Sequence, residues 1–217
     1  MASPLPPDTP AHHPLSTSRG DHAADWLRDR GKLLGGIGAA IVVAGLAGIL
    51  WRSNARATEA RAEQALLTAE AALVQGGAPA AERQLRQVAT RYGGTAAGAQ
   101  AQLLLAQSLY EQGKYQDGLA VLERADAPDQ FAEAFDVLRA SGLEGLNRGA
   151  EAAKIYERLA GRAGVVPRRR DELRAAAARA YQLGNDKANA VRMWRLVLEE
   201  GSGPVVDEAR VRVGELS

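Results

Sequence analysis

The stretch "QLLLAQSLYEQGKYQDGLAVLERA" (102–125) decides the fold once it is laid against "DVLRASGLEGLNRGAEAAKIYERLA" (136–160). Ala106, Leu109, Gly118 and Leu122 then meet Ala140, Leu143, Ala152 and Tyr156, each thirty-four residues on. A small residue in the first segment lets a second helix come close. A small residue early in the second segment does the same in return, and the large apolar residue four later fills the seam. Two degenerate copies follow the same frame: Ala69, Ala72, Ala81, Leu85 and Val88, and Ala178, Tyr181, Ala190, Trp194 and Val197. The last is displaced by a four-residue insertion near "VVPRRR".

Short turn signals punctuate the frame: "VQGGAP" (74–79), "RYGGT" (91–95), "EQGKY" (111–115), "GLNRG" (145–149), "LAGRAGVVP" (159–167), "LGND" (183–186) and "EGSGP" (200–204). The segments between suit helices and are too long for strands. A thirty-four-residue helix–turn–helix period is that of a tetratricopeptide repeat. The expected fold is therefore all-α: a tetratricopeptide-like α-solenoid of about four hairpins over 58–217. A final helix, "PVVDEARVRVGEL" (204–216), opens with proline and early acidic residues and caps the stack.

Upstream, the pattern changes. Residues 33–51, "LLGGIGAAIVVAGLAGILW", carry no charge and no polar stripe. At 1.5 Å per residue a helix of that length spans about 28 Å, near the hydrocarbon thickness of a bilayer. Trp26 and Trp51 bracket the run, and Arg28, Arg30, Lys32, Arg52 and Arg56 flank it, as at membrane interfaces. The reading is one transmembrane helix. "ARA" (55–57) has the form of a signal-peptidase site, but the run exceeds a signal core and the preceding segment is long and carries Asp21, Asp25 and Asp29, which favours an uncleaved anchor. The basic residues on the amino side, Arg19 among them, slightly outnumber those beyond, Arg61 included. That places the amino terminus inside and the carboxyl-terminal body outside. Gly36, Ala40, Ala44 and Gly48 fall four apart and form a candidate packing face for a second transmembrane helix, in a homo-oligomer or with a partner.

Residues 1–24 are rich in proline and polar residues without apolar periodicity, and are read as a disordered tail; 25–32, "DWLRDRGK", form a juxtamembrane segment.

Composition excludes much chemistry. The chain has no cysteine, and its three histidines (His12, His13, His22) all precede the apolar run. The body therefore lacks the groups for a Ser–His or Cys–His nucleophile, and the reading assigns no enzyme activity, cofactor or metal. A net charge of +1 makes no case for nucleic acid. Binding is what stacked hairpins do, through the concave face lined by their first helices. The frame puts Gln100, Leu103, Gln107, Tyr110, Val137, Ser141, Glu144, Ala175, Arg179 and Gln182 there, a mixture suited to an extended or helical peptide. "PRRRDE" (167–172) reads as a solvated inter-helix turn, and Tyr156, Tyr181 and Trp194 as seam packing.

The stretch "RYGGTAAGAQAQLLLAQSLYEQGKYQDGLAVLERA" (91–125), with "DWLRDRGK" before a single span, resembles the ancillary Sec-translocon subunit family over about 25–217. The repeat region is also similar to that of cell-division coordinator proteins. The resemblance implies an inner-membrane protein with a periplasmic repeat domain. The implied partners are translocon subunits, periplasmic chaperones and exported chains. The alternative it leaves open is an organiser of envelope or division assemblies. The long proline-rich amino-terminal tail departs from that family's pattern.

Overall fold

The computed structural model describes the backbone of residues 18–216 and the side chains of residues 44–216. Among the described residues the chain is all-helical, with no strand. It divides into two compact units, residues 1–54 and 55–217.

In the first unit every described residue belongs to α1 (Ser18–Arg91). The tail expected over 1–24 lies outside the described residues as far as residue 17, and α1 begins within it. The expected span over 33–51 has side chains described only from Ala44 onward, where Leu46, Ile49, Leu50 and Trp51 are exposed. Gly36 and Ala40 of the expected packing face lie outside the described side chains; Ala44 and Gly48 are exposed. Among the described residues no helix is long and apolar enough to cross a membrane.

The second unit is built from hairpins. α1 breaks at Gly77, whose φ of 70° is left-handed and needs a residue without a Cβ, and Pro79 starts the returning arm. The two arms pack together through Ala62, Leu66 and Ala69 against Ala81, Leu85 and Val88. α2 (Ala96–Glu111) and α3 (Tyr115–Glu123) form the next hairpin, α4 (Ala132–Gly145) and α5 (Gly149–Ala160) the third, α6 (Pro167–Leu183) and α7 (Lys187–Glu200) the fourth. α8 (Pro204–Leu216) packs on α7 and α6, the place expected of a cap. Each break falls on a turn signal read from the sequence except the one between α3 and α4, where residues 124–131 carry the chain across with a short 3-10 turn at Asp129–Phe131.

The repeat frame is the core. Ala106, Leu109, Leu122, Ala140, Leu143, Ala152, Tyr156, Ala178, Tyr181, Ala190, Trp194 and Val197 are all buried; of the frame residues, only Ala72 is left half-covered. α2 carries apolar residues on two sides. Leu105 and Leu109 join the first hairpin, while Ala106 and Tyr110 join the core that runs to α8. Burying a side chain the size of Phe135 or Leu159 contributes about 2 kcal/mol, and both are almost wholly covered.

Polar contacts stitch the first hairpin to the second. The Ser108 hydroxyl donates to the Ala78 carbonyl at 3.0 Å, and Gln100 donates to the Glu70 carboxylate at 3.1 Å. Glu82 takes Lys114 at 3.1 Å and Arg86 at 2.9 Å, which together hold its carboxyl below the ordinary glutamate range. "PRRRDE" corrects one expectation: it is the first turn of α6, not a loop. Asp171 is buried there and accepts the Ser202 amide at 3.1 Å, tying the fourth hairpin's first helix to the segment after its second.

Candidate binding surface

The expected surface is made by the first helix of each hairpin. Positions 100, 103 and 107 recur every three or four residues along α2, which sets their side chains on one face of the helix. Gln100 and Gln107 are exposed, and Leu103 is half-buried beside them. On α4, Val137, Ser141 and Glu144 are half-buried; on α6, Arg179 is exposed and Gln182 half-buried.

Two expected residues are not on the surface. Tyr110 is buried, its ring pressed between Gly118 of α3 and Gly142 of α4. Ala175 is fully buried between helices. Both belong to the core, because the glycines leave a slot for a ring at 110 and the hairpin seam covers 175. The phenolic oxygen of Tyr110 is buried without a hydrogen-bond partner, and burial pushes its ionisation well above the usual tyrosine range.

Around Glu144 the surface gains electrostatic structure. Burial raises the Glu144 carboxyl above its ordinary value, while the Arg179 guanidinium and the neighbouring Tyr156 phenol pull it back. Tyr156, mostly buried, is itself pushed up to about 12, chiefly by burial and then by Glu144. Arg179 is held from the other side: Glu208 of α8 accepts from Nη1 through both oxygens at 2.9 and 2.8 Å, and the guanidinium lies 5.9 Å from the Trp194 ring centre. Trp194 in turn donates its indole N–H to Gln182 at 3.3 Å. An Arg179 so braced presents its charge in a fixed place.

Sequence reasoning missed the first hairpin's share. Glu63 and Glu70 of α1 occupy the frame positions of Gln100 and Gln107, a repeat earlier. Together with Leu67, which is 66% exposed, and Gln100, they line a cleft of about 330 Å³. The repeat register alone sets these two carboxylates in line with the expected surface residues of α2.

A different cluster sits at the seams. Asp136 of α4 meets Arg162 at 2.7 Å, Arg139 at 3.2 Å and Arg158 at 3.7 Å, and Arg139 also donates to the Leu122 carbonyl at 2.6 Å. In the fourth hairpin the matching frame position is Arg174, paired with Glu200 at 2.8 Å, as far along the chain as Arg162 is from Asp136. In both hairpins a charge on the first helix is joined to the end of the second.

No family model, curated protein or solved structure matches the chain.

Proposed function

We propose that the chain is a non-catalytic, membrane-anchored docking protein whose tetratricopeptide-like hairpins hold a peptide segment of a partner. The observation that carries this reading is the row of outward side chains on successive first helices. Glu70, Gln100, Gln107 and Arg179 offer hydrogen bonds and charge, and Leu67 and Leu103 lie among them as apolar contacts. Such a mixture along a solenoid suits an extended or helical peptide. The apolar run at 33–51 supplies the anchor, by length and flanks. The resemblance of the layout supports a position on the periplasmic face of an inner membrane, beside the Sec channel, with exported chains or periplasmic chaperones as partners.

A photoreactive amino acid at Gln107 of the membrane-embedded full chain tests this, with Gln84 on the returning arm of α1 as the control. Crosslinks to translocon subunits or exported chains from Gln107, absent from Gln84, are the expected result. Division proteins or cell-wall synthases at Gln107 would replace the Sec assignment with the envelope-organiser reading. Identical products from both positions would overturn the binding surface itself.

A further inference from the structure

The seam charge that braces the third and fourth hairpins is missing from the second. Gln102 stands thirty-four residues before Asp136, and Arg124 thirty-four before Arg158. The arginine is kept while the carboxylate has become an amide. Arg124 makes no ion pair among the described residues. Gln102 is only 8% exposed; its Nε2 donates to the Ala89 carbonyl at a long 3.5 Å, and its Oε1 is buried with no donor. An acceptor so placed costs stability unless something donates to it.

The gap is a real space. A cleft of about 390 Å³ opens between the returning arm of α1, α2 and α3, floored by Leu105 and Val121. Gln102 lines it, with Arg86 and Arg124 on its walls and Asp126 at its edge. Arg86 is engaged by Glu82 at 2.9 Å, which leaves Arg124 as the cation in want of a partner. Gln102 and Gln107 are about 140° apart around α2, so this cleft is separate from the proposed docking surface.

We infer that this cleft is a second binding site, for a carboxylate flanked by an N–H donor, the chemistry of the free carboxyl end of a peptide. The carboxylate sits beside Gln102 and pairs with Arg124, supplying from outside the charge that Asp136 supplies in the next hairpin. The N–H on the same α-carbon donates to Gln102 Oε1, and the next N–H along the peptide donates to Asp126. Val121, half-buried over the covered Leu105, offers the apolar contact for a small side chain.

The test uses the full chain and two probes, N-acetyl-alanyl-alanine with a free carboxyl end and the same dipeptide amidated. Titration calorimetry should detect the first and find the second at least about tenfold weaker, the loss of one charge-assisted contact. Arg124→Gln, a change at an exposed position, should weaken the free acid by a similar factor. Gln102→Glu supplies the missing carboxylate from within, so it should abolish binding while raising the thermal midpoint. Equal binding of both probes, no binding of either, or an Arg124→Gln chain that binds unchanged would overturn the proposal. Competition by acetate as strong as by the dipeptide would also overturn it, reducing the cleft to a simple anion site.

Discussion

The ring of Tyr110 lies against the bare Cα of Gly142, one hairpin on, so closely that a methyl group at 142 would overlap the phenolic oxygen. Two hairpins are keyed together by this contact. Gly142→Ala would gain about 1 kcal/mol of intrinsic helix preference. The overlap outweighs it, since forcing extra volume into a packed seam costs about 1–3 kcal/mol. A lower midpoint in urea is the expected outcome. Because the overlap is with the hydroxyl, adding Tyr110→Phe should restore part of the loss, and a double-mutant cycle measures the coupling.

Tyr110→Phe alone should leave stability unchanged or raise it. The hydroxyl is buried without a partner, so removing it relieves a desolvation cost of about 1–3 kcal/mol without breaking any hydrogen bond. A marked fall in the thermal midpoint would mean that the phenol is partnered in solution.

The same residue marks the boundary of what the sequence discloses. The hairpins were legible because small and large apolar residues recur in a thirty-four-residue frame, and because Gly77 and Pro79 announce a reversal that helix propensity would otherwise run through. The outward positions of Gln100, Gln107 and Arg179 followed from the same frame. Tyr110 did not, since one frame position holds either a groove residue or a core residue depending on what faces it. What faces it is Gly142 on another repeat, and Gly118 on the other flank. Tertiary neighbours, not local periodicity, choose the rotamer. The seam charges at Asp136 and Arg174 were missed for a related reason: each looks like a surface charge until its partner on the second helix is known.

Asp136→Ala should destabilise the third hairpin by about 1–3 kcal/mol, since it leaves Arg139, Arg158 and Arg162 facing one another without their shared anion. Arg158 and Arg162 are substantially exposed, so solvent screens part of the repulsion and the figure belongs at the lower end. The penalty should shrink in high salt, as screening weakens the cation–cation repulsion left behind. A loss that does not change with salt would assign the effect to packing.

Glu144 and Glu82 should give opposite pH signatures. Burial raises the Glu144 carboxyl above the ordinary 4.5, so the folded chain holds that proton more tightly than the unfolded chain. Its contribution is full below 4.5 and lost as pH climbs through the raised value. Glu144→Gln should therefore raise the midpoint at pH 7 and change little in acid. Arg86 and Lys114 lower the Glu82 carboxyl, whose contribution is present above 4.5 and lost as pH falls through the lowered value. Glu82→Gln should lower the midpoint at pH 7 and converge on the parent in acid. Thermal melts across that range would check both signs.

The closing helix supplies the last prediction. Ala209 of α8 is fully buried, and Val205, Val206, Val213 and Leu216 rest half-covered on the core shared with α6 and α7. Repeats at the end of a stack need such a cover, since the face that would meet a further hairpin is otherwise left to water. Glu208 adds its carboxylate to Arg179, the same arginine that faces the Trp194 ring and draws on Glu144. A chain ending after Ser202 should lose several kcal/mol, on the order of 1 kcal/mol for each half-buried aliphatic residue uncovered. It should also bind a hydrophobic dye that the full chain excludes. Glu208→Gln separates the two contributions: with α8 still in place it should cost little stability, because the pair is partly exposed, while freeing Arg179 to move. If crosslinking from the Gln107 surface then changes along with the mobility of Arg179, the cap is shaping the docking surface as well as closing the stack.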